Sequence, residues 1–248
     1  MSVIDDEIKS AYEKDGIVFI RNFFEQDYMS AVRAQLEDYI RNVLPKVPDA
    51  HYVYEDGGGV LRNLWRMDLY DPFFEDFGRH SKLRELVTAL EGWAYELHYV
   101  EAFLKPERCG SEIPMHQDFA LQHLSEPQFL TAWFPLDPVS ESNGALRFIP
   151  GSHHWGNISH TAVTNAGSRL VVESAEALKQ LPYVAAELVP GDVAVFGCQT
   201  VHYSPPNTSE NPRRALAVGM RGPKAHVQSE QLDWQRVVDS MDLKEPTR

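Results

Sequence analysis

Cysteine is nearly absent: Cys109 and Cys198 are the only two in 248 residues. That scarcity excludes a disulfide framework and a thiolate metal cluster, and it makes a reducing cytoplasm the expected location. No apolar run approaches the roughly 20 residues that a membrane-spanning helix needs. The first residues, Met1-Ser2-Val3-Ile4-Asp5-Asp6-Glu7, are acidic and lack the basic region and apolar stretch of a signal peptide. Positive charge is also scarce, with 23 Lys and Arg against 36 Asp and Glu, a formal net charge of -13. Neither nucleic acid nor a membrane is therefore expected as a partner, although a local basic pocket would survive such a balance. Internal repeats and low-complexity segments are missing too.

What is present is an ordinary globular mixture, 43% hydrophobic and 24% charged, at a length that supports a sizeable core. The first part reads as helical. Ile4, Ile8 and Tyr12 recur at helical spacing over 4–15 and close on Gly16, a C-terminal cap. Ile17 to Ile20 is a short β-branched and aromatic strand. Met29, Val32, Leu36, Ile40 and Val43 recur at three- and four-residue steps until Pro45, which predicts an amphipathic helix with its stripe on the core. Asp56-Gly57-Gly58-Gly59 predicts a mobile turn before a strand-like Val60 to Trp65, and a further helix is expected over 81–91, ended by Gly92.

From about residue 94 the period shortens to two, as Tyr95, Leu97, Tyr99, Glu101 and Phe103 alternate with their neighbours. Short strands are expected over 129–136, 145–149, 184–189, 192–198 and 214–220. Helices first and then many short strands, with no linker between, predict a mainly β (α+β) single domain over 1–248. It would comprise a helical layer over about 1–93, a barrel core over about 94–222 and a tail over 223–248.

Ten histidines in an acidic chain make chance pairs common, and His116-Gln117-Asp118 taken alone reads as a surface histidine beside a turn aspartate. In an extended segment, however, side chains at i and i+2 share a face, so His116 and Asp118 can bind one ion from the same side. His202 follows a tight turn and an apolar strand over Gly191 to Cys198; alone it reads as a hydrogen-bonded core residue. His123, His153, His154 and His160 are rival third ligands by residue type. Two histidines and one carboxylate suit iron(II) with open coordination positions. Strand parity sets Arg213 with Ala215, Ala217 and Gly219, whose small side chains leave room for a ligand, and Arg214 with Leu216, Val218 and Met220. A guanidinium so placed suits an acidic co-substrate gripped by a planar fork.

Several stretches carry a resemblance in this order: YEKDGIVFIRNFF from Tyr12 to Phe24, His116-Gln117-Asp118, TAWFPLDPVSESNGALRFIPGSHHWG from Thr131 to Gly156, and GDVAVFGCQTVHYSPPNTSENPRRALAVG from Gly191 to Gly219. Together they resemble the phytanoyl-CoA dioxygenase (PhyH) family of Fe(II)- and 2-oxoglutarate-dependent oxygenases. Residues 44–90 and 157–185 match poorly, and in that family such segments tend to shape the substrate pocket. The resemblance implies a double-stranded β-helix, a cupin-like jelly-roll barrel with helices packed on one face. It implies Fe(II), 2-oxoglutarate and dioxygen as cofactors and co-substrates, with His116, Asp118 and His202 as catalytic metal ligands. Arg213 would pair with the distal carboxylate of 2-oxoglutarate, Ser204 would add another contact, and Gln117, Thr131 and Trp133 would line the same pocket.

The implied reaction is hydroxylation, desaturation or cyclisation at an unactivated C–H bond of a small organic molecule, such as a secondary metabolite, with release of succinate and CO2. The enzyme would be a monomer or homodimer. Halogenating relatives replace the carboxylate with a small residue to admit a halide, so Asp118 implies oxygenation. Trp65, Arg66, Tyr99, Glu101, Phe103 and Arg169 lie in segments that can face the substrate. Two other functions stay open: a non-catalytic or non-oxygenase metal-binding jelly roll, because fold does not fix function, and a protein side-chain hydroxylase.

Overall fold

The computed structural model describes residues 4–55, 57–165 and 168–227. The chain enters through α1 (Asp6–Asp15), where the Asp5 side chain accepts the Ile8 N–H at the first turn. Gly16 ends the helix at φ 72, its N–H bonded to Tyr12 O. This left-handed cap favours glycine, and a Cβ there would stand 2.4 Å from the His153 ring. β1 (Ile17–Ile20) follows. α2 (Gln26–Asp38) buries Met29, Val32 and Leu36.

The apolar period continues beyond α2, but the regular backbone does not. Tyr39–Val43 widens into a π turn closed by the Leu44 N–H on Tyr39 O, and Leu44–Lys46 tightens into a 3-10 turn. Pro45 has no N–H for the regular ladder, so the pitch changes as it is approached. The chain then forms β2 (Tyr52–Tyr54) and β3 (Leu61–Leu64), joined through Gly57, Gly58 and Gly59, all at positive φ. α3 (Pro72–Gly78), capped by Asp71, and α4 (Ser81–Glu91), closed by Gly92, complete the helical layer.

The later strands are β4 (Glu96–Lys105), β5 (Ile113–His116), β6 (Phe129–Pro135) and β7 (Arg147–Phe148), with the short helix α5 (Asp118–Leu121) between β5 and β6. A hairpin of β8 (His160–Asn165) and β9 (Ser168–Val172) precedes α6 (Ala175–Leu178). β10 (Val184–Ala185), β11 (Val193–Gly197), β12 (His202–Ser204) and β13 (Arg213–Arg221) close the fold. Seven strands form one sheet in the order β1-β11-β6-β13-β4-β3-β2, and four form a second in the order β10-β7-β12-β5.

The strands expected over 145–149 and 184–189 shrink to Arg147–Phe148 and Val184–Ala185. Outside those pairs the backbone bonds across to loops, as Ala186 N–H does to Leu146 O and Val139 N–H to Leu188 O. Of the tail expected over 223–248, residues 228–248 lie outside the described residues, as does Asp56 of the glycine-rich turn. No helix among the described residues is long and apolar enough to cross a membrane.

The two-residue period gives the large sheet two apolar faces. Val100 and Ala102 of β4, Ala132 and Phe134 of β6, and Leu216 and Val218 of β13 share one core with Val32 and Leu36 of α2, Phe77 of α3 and Leu86 of α4. The alternate residues, among them Tyr99, Trp133, Phe196 and Ala217, share another core with Leu146 and Phe148. Helices therefore cover one face of the large sheet and the small sheet covers the other, which leaves the functional cleft between the sheets. Gly219, on that inner face, lies beneath aromatic rings: a Cβ would stand 2.6 Å from Tyr99 and 2.8 Å from Phe129. Both rings are buried, so Gly219→Ala should lower the unfolding free energy by about 1–3 kcal/mol. Denaturant midpoints measure this, and an unchanged midpoint would show that the rings move aside freely.

Candidate metal centre

β12 and β5 are neighbours in the small sheet, with His202 directly opposite His116. That register stands the two imidazoles side by side, ring centroids 4.2 Å apart. β5 ends at His116, Gln117 continues extended at φ -116 and ψ 134, and Asp118 opens α5. A single extended residue between them keeps His116 and Asp118 on one side. Asp118 Oδ1 lies 3.5 Å from His116 Nε2 and 3.7 Å from His202 Nε2. Ligand atoms from the three residues all lie within 4.8 Å of one another, the only such group among the described residues.

The surroundings prepare these atoms for a cation. His116 Nδ1 is 2.7 Å from Pro114 O, and His202 Nδ1 is 2.9 Å from Thr200 O. A carbonyl can only accept, so each Nδ1 carries the proton and each Nε2 keeps its lone pair. Thr131 Oγ1 donates to Asp118 Oδ2 at 2.7 Å, which leaves Oδ1 to the imidazoles. Burial, then the adjacent His116, pushes His202 down to about 4, so it is a neutral donor at physiological pH. Burial opposes ionisation of Asp118, but His202, His116 and the Thr131 hydroxyl outweigh it and hold the carboxyl below its usual range. Two imidazoles that turn Nε2 inward and one carboxylate, on one side of a cavity, fit an iron(II) facial triad.

The rival histidines stay outside. His160 uses both ring nitrogens, one on Ile158 O and the other as acceptor for the Gln117 N–H. His153 Nε2 reaches Glu13 O, and His123 and His154 are exposed. Gln117 does not face the cavity as expected. The alternation that turns His116 and Asp118 inward turns Gln117 away, where its amide donates to Gly156 O and Gln199 O and accepts from Ile158 N. It ties the loops around the ligands together.

A cleft partly open to solvent runs from the triad to Arg213. Thr131, Trp133, Trp65, Tyr99, Glu101 and Phe103 all line it. Arg213 lies at 0% exposure. Its Nη1 reaches Phe103 O and its Nη2 reaches Ser204 Oγ, each at 3.4 Å, while Nε has no partner. Burial pushes the guanidinium down to about 9, still charged at neutral pH. A buried cation with an unsatisfied donor is costly unless an anion completes it, so Arg213 fits the carboxylate of a small dicarboxylic ligand such as 2-oxoglutarate. Its neighbour Arg214 points to the opposite face, where it pairs with Asp137 at 2.7 Å and Glu37 at 2.9 Å.

Two expected contacts lie elsewhere. Ser204 stands behind Arg213, donating to Gly144 O at 2.8 Å, and is not part of the cleft wall. Arg66 pairs with Asp68 at 3.0 Å instead of entering the cleft, because its backbone turns left-handed at φ 52. The Arg169 side chain lies outside the described residues.

The structure also adds Asn63, Gln122, Leu146, Leu170 and Phe196 to the wall. Asn63 was legible in principle, since it stands two residues before Trp65 in the stretch Val60 to Trp65 that reads as extended. Leu170 was not, because it arrives on the β8–β9 hairpin through long-range packing. Lys105 was missed as well; its Nζ donates to the carbonyls of Ser111, Ser204 and Pro205 and pins the end of β12. Thr131→Val keeps the volume but removes the hydroxyl that directs Asp118. It should weaken Co(II) or Fe(II) binding by roughly 10- to 100-fold in a metal titration; an unaltered affinity would show that Asp118 needs no such guide.

Known proteins share this architecture. Residues 12–215 match the family model for phytanoyl-CoA dioxygenase (PhyH). A phytanoyl-CoA dioxygenase domain-containing protein 1 homolog from Dictyostelium discoideum is 27% identical, over 87% of this chain and 90% of that protein. Among solved structures, EctD from S. alaskensis, crystallised with 2-oxoglutarate and 5-hydroxyectoine, superposes with a TM-score of 0.75 at 22% identity, covering 89% of this chain and 77% of that one. The non-heme alpha-ketoglutarate-dependent carbocyclase SnoK from nogalamycin biosynthesis gives 0.77 at 21% identity, covering 94% and 92%. The fold is thus the double-stranded β-helix of these enzymes, and the chain belongs to the phytanoyl-CoA dioxygenase family.

Proposed function

We propose that this protein is an Fe(II)- and 2-oxoglutarate-dependent dioxygenase that hydroxylates an unactivated C–H bond of a small organic molecule. The observation that carries the reading is one cleft with the triad at one end and Arg213, its Nε unpaired, also in the wall. His116, Asp118 and His202 would hold the iron. When bound, iron and 2-oxoglutarate supply the activation of dioxygen, and the co-substrate leaves as succinate and CO2.

The remaining work falls to the chain. Arg213 orients the co-substrate through its distal carboxylate, and a planar fork fixes direction as well as charge. Ser204 and the Phe103 carbonyl hold the guanidinium in place. The aromatic walls of Trp65, Phe103 and Trp133 keep water from the reacting bond and orient it. Asp118 supports oxygenation over halogenation, because its carboxylate fills the position that a halide would need. EctD, crystallised with a hydroxylated small molecule, supports the same substrate scale.

The test is succinate formation with Fe(II), 2-oxoglutarate and a metabolite library, followed by mass spectrometry of the stimulating compound. Asp118→Ala should abolish succinate production; turnover at the wild-type rate would sink the assignment. Arg213→Lys keeps the charge but loses the fork, and should raise the KM for 2-oxoglutarate by roughly tenfold or more, the size of a lost charge-assisted hydrogen bond. A KM equal to that of the wild type would remove Arg213 from the co-substrate site.

A further inference from the structure

We propose, on the reading that His116, Asp118 and His202 hold a metal, that Tyr99 is a positioning residue for that centre, acting across Gly219 through Thr131 on the Asp118 carboxylate. Its placement begins with an irregularity in β4. Gly219 of β13 pairs with Tyr99, but Met220 pairs with Leu97, so β4 carries one residue more than its partner at His98. Such a bulge bends a strand and re-aims the side chains beside it. Leu97 packs towards the helices, whereas Tyr99 belongs to the core between the sheets. The rings of His98 and Tyr99 both meet Phe129, at centroid separations of 5.4 and 5.9 Å.

Gly219 opens the path from Tyr99 to the metal ligands. It pairs with Tyr99 on one side and with Thr131 of β6 on the other. Both of those side chains line the cleft. A Cβ at Gly219 would stand 2.6 Å from the Cε1 and Cζ atoms of Tyr99, so the ring lies across β13 where any larger residue would stand. Cζ carries the hydroxyl, which hydrogen-bonds with the Thr131 side chain.

The direction of that bond follows from proton count. Thr131 has one hydroxyl proton and gives it to Asp118 Oδ2 at 2.7 Å. It can therefore only accept from Tyr99, whose burial keeps the phenol protonated. The result is a directed chain, in which Tyr99 donates to Thr131 and Thr131 donates to Asp118. Each bond in such a chain polarises the next. With its oxygen engaged by Tyr99, the Thr131 hydroxyl is held towards Oδ2, and Oδ1 stays turned to the imidazoles of His116 and His202. Lining the cleft does not by itself require this phenol, because a phenylalanine would fill the same space.

The test is a Co(II) titration of the full chain, followed by the visible ligand-field bands. Tyr99→Phe keeps the ring over Gly219 and removes only the hydroxyl. It should weaken Co(II) binding about three- to tenfold, the range of one neutral hydrogen bond. In a Thr131→Val background the same change should have no further effect, because the chain is already broken. In a Thr131→Ser background, which keeps a hydroxyl, the loss should return. A phenol with a structural role alone would cost the same in every background. Gly219→Ala gives a second route, since the added Cβ displaces the Tyr99 ring. It too should weaken Co(II) binding when Thr131 is present and not when Val replaces it. Wild-type affinity in Tyr99→Phe, or a loss undiminished in the Thr131→Val background, would overturn the proposal; if Tyr99→Phe does not fold, the same two outcomes in Gly219→Ala decide it. A wild-type chain that binds no Co(II) would remove the metal centre as well, whereas tight wild-type binding with an inert Tyr99→Phe removes only the role of Tyr99.

Discussion

The antiparallel pairing of β12 with β5 underlies the metal centre and most of what surrounds it. His202 faces His116 because those strands align in that register, and a slip of one residue would turn one imidazole out of the cleft. The same backbone supplies Pro114 O and Thr200 O, which accept from the Nδ1–H of each ring and so turn Nε2 to the cleft. Gln117 and Lys105 then lock the pairing from behind. The first bonds the loops at Gly156 and Gln199, and the second bonds three carbonyls, two of them at the end of β12. A side chain that looks ready to bind a ligand thus serves the register that makes ligand binding possible.

Buried charge is distributed with the same logic. Arg62 with Glu55, and Arg214 with Asp137, are pairs closed within the protein. In such closed pairs each charge offsets part of the other's desolvation. Arg213 differs, since its contacts are a carbonyl, a hydroxyl and an orphaned Nε. Two adjacent arginines therefore have opposite roles, decided by the face of β13 on which each falls.

Much of this was legible before folding. Periodicity located α1, α4, β1, β4 and β13, because one strongly amphipathic stripe or one alternating run dominates each. The ends of α2 were not legible, since its apolar stripe outlasts its regular hydrogen bonding near Pro45. β7 and β10 were overestimated for a related reason: an apolar run predicts burial, while strand length depends on a partner alongside. In the site, His-x-Asp spacing and the parity of Arg213 were local facts and could be read. Gln117, Ser204 and Arg66 could not be placed, because whether a polar side chain meets the cleft or a backbone carbonyl depends on loops far away in the chain.

The sequence by itself determined the chemistry on offer: two histidines, one carboxylate and one arginine in an order that resembles a known family, on segments whose periods fix which side chains share a face. The resemblance already named His202 as the third ligand; only the tertiary structure set its ring beside His116 and left His123, His153, His154 and His160 outside. It also decided that Glu101 and Asn63 share a wall with the triad. The physical reason is that local dihedral preferences set the face of a residue within one strand, while a site needs the separation between strands. That separation comes from sheet pairing and from packing two faces into two cores.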